Sequence, residues 1–287
     1  MLIPFKEIRT MGVINITPNS FSETESMLLN KEALKNKLIQ FKNIAELIFD
    51  FGFESTAPLN HSISSAVERE RFDLFLENIS DVDLSGQWIS FDTYRPQNFL
   101  YFEEKFKARY NHCGFIFNDV SGVLDRPLVE LLQSKKNQKN FYYIFNHTHI
   151  PSRDKVLNHM EYLYVGNSLL KEIGAFFKKG FETFSEIGIE NKIIFDPGFG
   201  FSKSYDQNWE LLRGFDQLYN DLKNSGIITP WLIGLSKKSF LRKSFTHSLD
   251  PFSDAEILQD KLIKELISKK LGHLLFRLHD PFLIKTL

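Results

Sequence analysis

Short apolar runs alternate with longer amphipathic segments along the whole chain. The runs have the length of buried strands, and the segments between them have the spacing of helices with one apolar face. In Lys31–Ala45, for example, Leu34, Leu38 and Phe41 recur at helical spacing, and lysines occupy the opposite face. The pattern therefore predicts strands that alternate with helices.

Eight strands and seven helices follow from this pattern. The predicted strands are Met11–Ile16, Leu47–Phe51, Trp88–Asp92, Gly114–Phe117, Phe141–Phe145, Lys192–Asp196, Trp231–Gly234 and Leu274–Arg277. The predicted helices are Lys31–Ala45, Ser64–Asn78, Pro96–Lys107, Asp125–Lys135, Leu157–Lys179, Asp206–Lys223 and Asp254–Lys270. Such alternation predicts the α/β class, as a parallel (β/α)8 TIM barrel with right-handed crossovers. The length of 287 residues suits one barrel domain over residues 1–287, because such barrels take about 250 residues.

The stretch KIIFDPGFGFSK, residues 192–203, ends a strand with unusual chemistry. Pro197 has no N–H and must stop the strand directly after Asp196. Gly198 and Gly200 then allow a loop with positive φ or a close approach to a ligand. A carboxylate at such a strand end fits the ligand site of a barrel enzyme. The alternative is that Asp196 only caps its own loop.

Polar groups follow the other predicted strands as well. In chain order, the strand ends carry Asn15, Glu54-Ser55-Thr56, Asp92, Asn118-Asp119, Asn146-His147, Asp196, Ser236-Lys237-Lys238, and Arg277 with His279. Because the carboxyl ends of barrel strands share one mouth, these groups predict a small-molecule site there.

Composition narrows the class of protein. The formal net charge of −1, with 25% charged residues, argues against a nucleic-acid partner. Cys113 is the only cysteine, so neither a disulfide framework nor a cysteine zinc cluster is expected. The sequence shows no signal peptide and no apolar run of membrane-spanning length. We therefore expect no membrane partner and a cytoplasmic location.

Seven motifs together resemble dihydropteroate synthase, in that family's order and over nearly the whole chain. They are MGVINITPNSFSE (Met11–Glu23), FESTAPLN (Phe53–Asn60), ISFDTY (Ile89–Tyr94), FNDVSG (Phe117–Gly122), IIFDPGFGFSK, IGLSKKSF (Ile233–Phe240) and FRLHDP (Phe276–Pro281). The resemblance implies a (β/α)8 barrel. It also implies condensation of 6-hydroxymethyl-7,8-dihydropterin diphosphate with 4-aminobenzoate, which forms dihydropteroate and releases diphosphate.

The resemblance assigns five residues to the pterin. Asp196 would accept two N–H donors from the pterin edge, and Asn118 would read neighbouring ring atoms. Asp92 matches the family's other pterin-facing carboxylate. Lys238 would donate to the ring, and Arg277 would cover the ring face.

The resemblance also implies a catalytic set for the departing diphosphate. Arg277 and His279 would clamp the anion, and Lys238 and Asp92 complete the set. Asn15 matches the family's Mg2+ ligand, with phosphate oxygens and water supplying the other ligands.

A third group would hold 4-aminobenzoate. The hydroxyl of Ser239 would meet the carboxylate of this substrate. The ring of 4-aminobenzoate would lie among Phe21, Thr56, Pro58 and Phe201.

Several residues depart from the family pattern. Ala57 replaces an arginine of the second loop, and Asn19 replaces a carboxylate of the first. The usual Met-His-Met of the fifth strand end is Asn146-His147-Thr148. Only Pro281–Leu287 follows the His279-Asp280 pair of the last motif, so we expect no full-length final helix, and this leaves the family's homodimer in doubt.

These departures leave two alternatives to a working synthase. Ala57 and the altered first loop favour a pterin-binding paralogue with weak or no catalysis. A pterin-using methyl transferase of related fold is the other alternative, and the motifs SKKSF and TPNSFSE argue against it.

Overall fold

The computed structural model of the chain describes residues 8–17, 30–55 and 61–286. Eight parallel strands close into a barrel in sequence order, which confirms the predicted (β/α)8 fold. The strands are β1 Ile8–Asn15, β2 Ile48–Gly52, β3 Trp88–Asp92, β4 Gly114–Asp119, β5 Phe141–Asn146, β6 Ile193–Asp196, β7 Trp231–Ile233 and β8 Leu274–Leu278. The helices are α1 Lys31–Lys42, α2 Ser65–Asn78, α3 Pro96–Arg109, α4 Arg126–Ser134, α5 Leu169–Glu186, α6 Tyr205–Arg213, α7 Phe215–Asn224, α8 Ser239–Lys243 and α9 Pro251–Ser268.

The core has two apolar layers, because side chains of a strand alternate between the faces of the sheet. Aliphatic residues fill the barrel interior, with Tyr142 and Trp88 packed among them. The outer layer between sheet and helices is rich in buried phenylalanines, such as Phe91, which stacks on Phe115 at 6.2 Å between ring centroids. The apolar runs of the sequence thus become strands that are buried on both faces.

Two helix predictions were wrong in their bounds. The segment predicted as one helix from Leu157 is a 3-10 helix over Arg153–Glu161, and the α-helix begins only at Leu169. The segment predicted as Asp206–Lys223 is two helices that meet at Gly214. Glycine disfavours a helix interior, and Gly166 lies just before α5 while Gly214 lies between α6 and α7.

After β8, residues Pro281–Thr286 form a 3-10 helix. None of the helices among the described residues is long and apolar enough to cross a membrane.

Candidate functional site

The register of the sheet brings four strand-end positions to one level of the barrel. Asn15 pairs with Gly52, Gly52 with Asp92, and Asp92 with Asn118. A β-carbon added to Gly52 would lie 3.4 Å from Asn15 Oδ1 and 3.7 Å from Asp92 Oδ2. The amide of Asn15 and the carboxylate of Asp92 therefore approach the same point at the carboxyl mouth of the barrel.

Arg277 is fixed by two carboxylates from neighbouring strands. Its Nε donates to Asp50 Oδ2 at 2.7 Å, and its Nη2 donates to Asp92 Oδ2 at 2.6 Å. Burial lowers the pKa of the guanidinium, but the two carboxylates outweigh it and raise that pKa above its usual value. Burial also raises the pKa of Asp92, and Arg277 opposes this shift. Nη1 makes no hydrogen bond to the described residues, so it is the nitrogen left for a ligand.

Asp50 is a site residue that the sequence analysis missed. It is fully buried, and its Oδ1 accepts from Ser90 Oγ at 2.6 Å and from Asn118 Nδ2 at 3.2 Å. Asp50 therefore connects Arg277 to Asn118 across the barrel. A charged residue between Phe49 and Phe51 in an apolar strand was the available signal, since alternation turns it inward.

The loop after β6 forms as predicted, with φ of 72° at Gly198 and 82° at Gly200. A β-carbon on Gly198 would lie 2.1 Å from the carbonyl oxygen of His147. Gly198 N donates to Asp196 Oδ1 at 2.8 Å, so Asp196 does cap its own loop. Its Oδ2 has no hydrogen bond to the described residues and remains an acceptor for a ligand.

Most of the predicted pterin residues line one cavity at this mouth. Burial raises the pKa of Asp196 and lowers that of Lys238 to about 8, while each of the two charges opposes the shift of the other. Lys238 Nζ also lies 4.6 Å from the centroid of the Phe201 ring. The cavity is lined by Asn118, Val120, Asp196, Phe199, Phe201, Gly234, Ser236, Lys238, Arg277 and His279.

His279 lies in the cavity wall next to Ser236. Its backbone N–H donates to Ser236 Oγ at 3.2 Å, and its Nδ1 lies 3.1 Å from the same oxygen. Burial and the cations Lys237 and Arg277 lower the pKa of His279 well below its usual value. The imidazole is therefore neutral at pH 7 and would meet an anion as an N–H donor and not as a cation.

The residues predicted for the second substrate are only partly within the described chain. Phe201 lines the cavity, and Ser239 is exposed at the first turn of α8. The remaining three, Phe21, Thr56 and Pro58, lie outside the described residues, as do Ala57 and Asn19.

A second polar network lies beside the cavity, between β5, α5 and the loop after β6. Lys203 Nζ is 2.9 Å from His147 Nδ1, 3.0 Å from the Gly198 oxygen and 3.1 Å from the Phe201 oxygen. His147 Nε2 is 2.9 Å from Glu172 Oε2. Burial lowers the pKa of Lys203 to about 7 and that of His147 to about 3.

Comparison with known proteins decides the family. A family model described as pterin binding enzyme matches residues 11–268. The chain belongs to the pterin binding enzymes. It is 25% identical to dihydropteroate synthase of Escherichia coli strain K12 over 94% of this chain and 86% of that protein. It is 29% identical to the mitochondrial folate synthesis bifunctional protein of Pisum sativum over 80% of this chain and 43% of that protein.

A solved relative has the same fold. The crystal structure of Yersinia pestis dihydropteroate synthase with a sulfonamide drug complex matches with a TM-score of 0.74 at 22% identity, over 98% of this chain and 91% of that one. This pterin binding enzyme spans less than half the length of the bifunctional relatives that it matches first.

Proposed function

We propose that this pterin binding enzyme is a dihydropteroate synthase, a transferase that condenses 6-hydroxymethyl-7,8-dihydropterin diphosphate with 4-aminobenzoate in folate biosynthesis. The observation that carries the proposal is the convergence of Asn118, Asp196, Lys238 and Arg277 on one cavity at the carboxyl mouth of the barrel. The similarity to dihydropteroate synthase along most of the E. coli protein supports it.

The chemistry of this cavity suits the edge of a pterin. Asp196 keeps Oδ2 for the N–H donors of the 2-amino-4-oxo edge, and a carboxylate can accept two of them in a fork. Asn118 gives its Nδ2 to Asp50 and keeps its carbonyl oxygen, which can accept a ring N–H. Lys238 supplies a donor for the ring carbonyl or a ring nitrogen. Each polar edge atom of the ligand thus has a candidate partner.

In the proposed reaction, the amine nitrogen of 4-aminobenzoate attacks the methylene carbon of the pterin. A C–N bond forms, the C–O bond to diphosphate breaks, and the leaving oxygen takes the bonding electrons. The amine then loses one proton to water. Arg277 Nη1 and the N–H of His279 are proposed to bind the departing diphosphate, where negative charge increases as the bond breaks.

We also propose that the synthase uses Mg2+, with Asn15 as a protein ligand. The side chain offers one neutral oxygen, and Asp92 Oδ2, which approaches the same point of the barrel mouth, is already held by Arg277. This donor set fits an ion that takes most of its ligands from diphosphate and water. Bound there, Mg2+ would neutralise charge on the leaving group.

The second substrate is proposed to enter over Phe201, with its carboxylate near Ser239. Phe21, Thr56 and Pro58 are proposed to complete this side. A cytoplasmic location and a homodimer remain predictions.

A diphosphate-release assay tests the proposal. With the pterin diphosphate and Mg2+, we expect release that requires 4-aminobenzoate, and dihydropteroate identified by mass spectrometry. Pterin binding without any release would contradict the synthase and favour the non-catalytic paralogue to which Ala57 points. Absence of pterin binding would contradict both.

A further inference from the structure

Two histidines and a glutamate converge outside the cavity, between the end of β5 and the first turn of α5. His147 Nε2 lies 2.9 Å from Glu172 Oε2, and His149 Nε2 lies 3.3 Å from the same oxygen. The three ligating atoms all lie within 4.8 Å of one another. We propose that His147, His149 and Glu172 form a binding site for one transition-metal ion of the zinc class.

The distances fit such an ion with little movement. Zinc binds imidazole nitrogen and carboxylate oxygen at about 2.0–2.2 Å, so neighbouring ligand atoms of a tetrahedral site lie about 3.3 Å apart. Both measured separations from the Glu172 oxygen are close to that value. His147 is fully buried, whereas the side chains of His149 and Glu172 are 24% and 28% exposed. An ion can therefore reach the site, and water can supply a fourth ligand.

His149 supplies independent support. Its Nε2 is buried and makes no well-aligned hydrogen bond among the described residues, although it lies 3.3 Å from Glu172 Oε2. The ring is held by a parallel stack on Tyr164 at 5.5 Å and by the bond from the His149 backbone N–H to Ser202 Oγ. Its nitrogen is therefore fixed toward Glu172, where a metal ion would give it a partner.

Lys203 faces the other ring nitrogen of His147. Its Nζ lies 2.9 Å from His147 Nδ1 and also contacts the backbone oxygens of Gly198, Phe201 and His147. Nε2 of His147 is therefore the ring nitrogen that is directed toward Glu172 and is available to a metal ion.

The family pattern described above has Met-His-Met at positions 146–148. Here residues 146–149 read Asn-His-Thr-His. His147 and His149 are separated by one residue and reach Glu172 because α5 begins at Leu169. This metal site is distinct from the proposed Mg2+ at Asn15, which needs oxygen ligands.

Equilibrium titration of the untagged, chelator-treated protein with Zn2+ tests the proposal. We expect one ion per chain at about micromolar affinity or tighter, and visible d–d absorption when Co2+ replaces Zn2+. His149→Gln and Glu172→Gln should each weaken binding by at least about tenfold. In the wild type, Zn2+ should also raise the melting temperature.

His61→Gln is the matched control, since His61 is exposed and remote in sequence from the three ligands. It should bind Zn2+ like the wild type. Circular dichroism establishes that each variant is folded. Unchanged one-to-one binding in folded His149→Gln and Glu172→Gln would overturn the proposal, as would no saturable binding by the wild type. Neither result bears on diphosphate release, so the synthase proposal is tested separately.

Discussion

Arg277 and Lys203 are both buried cations near the carboxyl mouth of the barrel, but their surroundings differ. Arg277 binds two carboxylates on neighbouring strands, and its side chain is 20% exposed toward the cavity. Lys203 is 1% exposed and faces backbone carbonyls and a neutral histidine. The pKa of the arginine is raised, whereas the pKa of the lysine falls to about 7.

The difference indicates that the two cations have different roles, one in ligand binding and the other in stability. Arg277, with Asp50 and Asp92, presents fixed charge to a ligand, so changes there should act first on binding. Lys203, with His147, ties the loop after β6 to the end of β5, so changes there should act on stability and its pH dependence. Three substitutions test this contrast.

The largest effect is expected for Asp196→Ala, which should weaken pterin binding. The variant leaves pterin N–H donors buried without partners, at about 1–3 kcal/mol each. For two donors, the affinity for 6-hydroxymethyl-7,8-dihydropterin should fall at least about 30-fold. Isothermal titration calorimetry measures this directly. Asp206→Ala, on the exposed face of α6, is the control and should bind normally, whereas full affinity in Asp196→Ala would remove this residue from the site.

A smaller effect is expected for Asp50→Asn. Arg277 keeps Asp92 but loses one charge-assisted hydrogen bond, which contributes about 1.5–3 kcal/mol. Urea unfolding should show a loss of that size, and pterin affinity should fall because Arg277 and Asn118 are less firmly held. Asp206→Asn should change neither quantity. Unaltered affinity together with the expected loss of stability would show that Asp50 only supports the barrel.

The sequence predicts the ligand-binding residues of the cavity better than it predicts the residues that support them from within the barrel. Pro197 and Gly198 mark the end of β6 locally, so Asp196 is found without any knowledge of the fold. Asp50 cannot be found in this way, because its role depends on the strand register that places it beside Ser90 and within reach of Arg277.

The second network is harder still to predict. Glu172 and His147 are 25 residues apart in the chain. The helix predicted from Leu157 misplaced the start of α5, and with it the turn that carries Glu172. Local periodicity cannot give the true start, because residues 153–161 follow a 3-10 path that is set by tertiary contacts.

The smallest effect concerns the pH dependence of the second network. Burial lowers the pKa of His147 from 6.5 to about 3. Between these values the unfolded chain binds a proton that the folded protein does not, so the free energy of unfolding falls as the pH falls. This contribution is fully present above pH 6.5 and is lost toward pH 3, at about 1.4 kcal/mol for each pH unit.

His147→Asn tests this expectation, because asparagine does not titrate. Between pH 6 and pH 4, the decline in unfolding free energy should be shallower in the variant than in the wild type by up to about 1.4 kcal/mol per pH unit. Glu172 adds a decline of the same sign at lower pH. Burial raises its pKa, but the interactions with His147 and His149 together outweigh burial and lower the pKa to about 2. Urea unfolding with a chelator present measures the slopes, and His61→Asn should keep the slope of the wild type. Equal slopes in the wild type and His147→Asn would mean that His147 is not held neutral. That result would contradict the expectation that the network of Lys203 and His147 makes stability depend on pH.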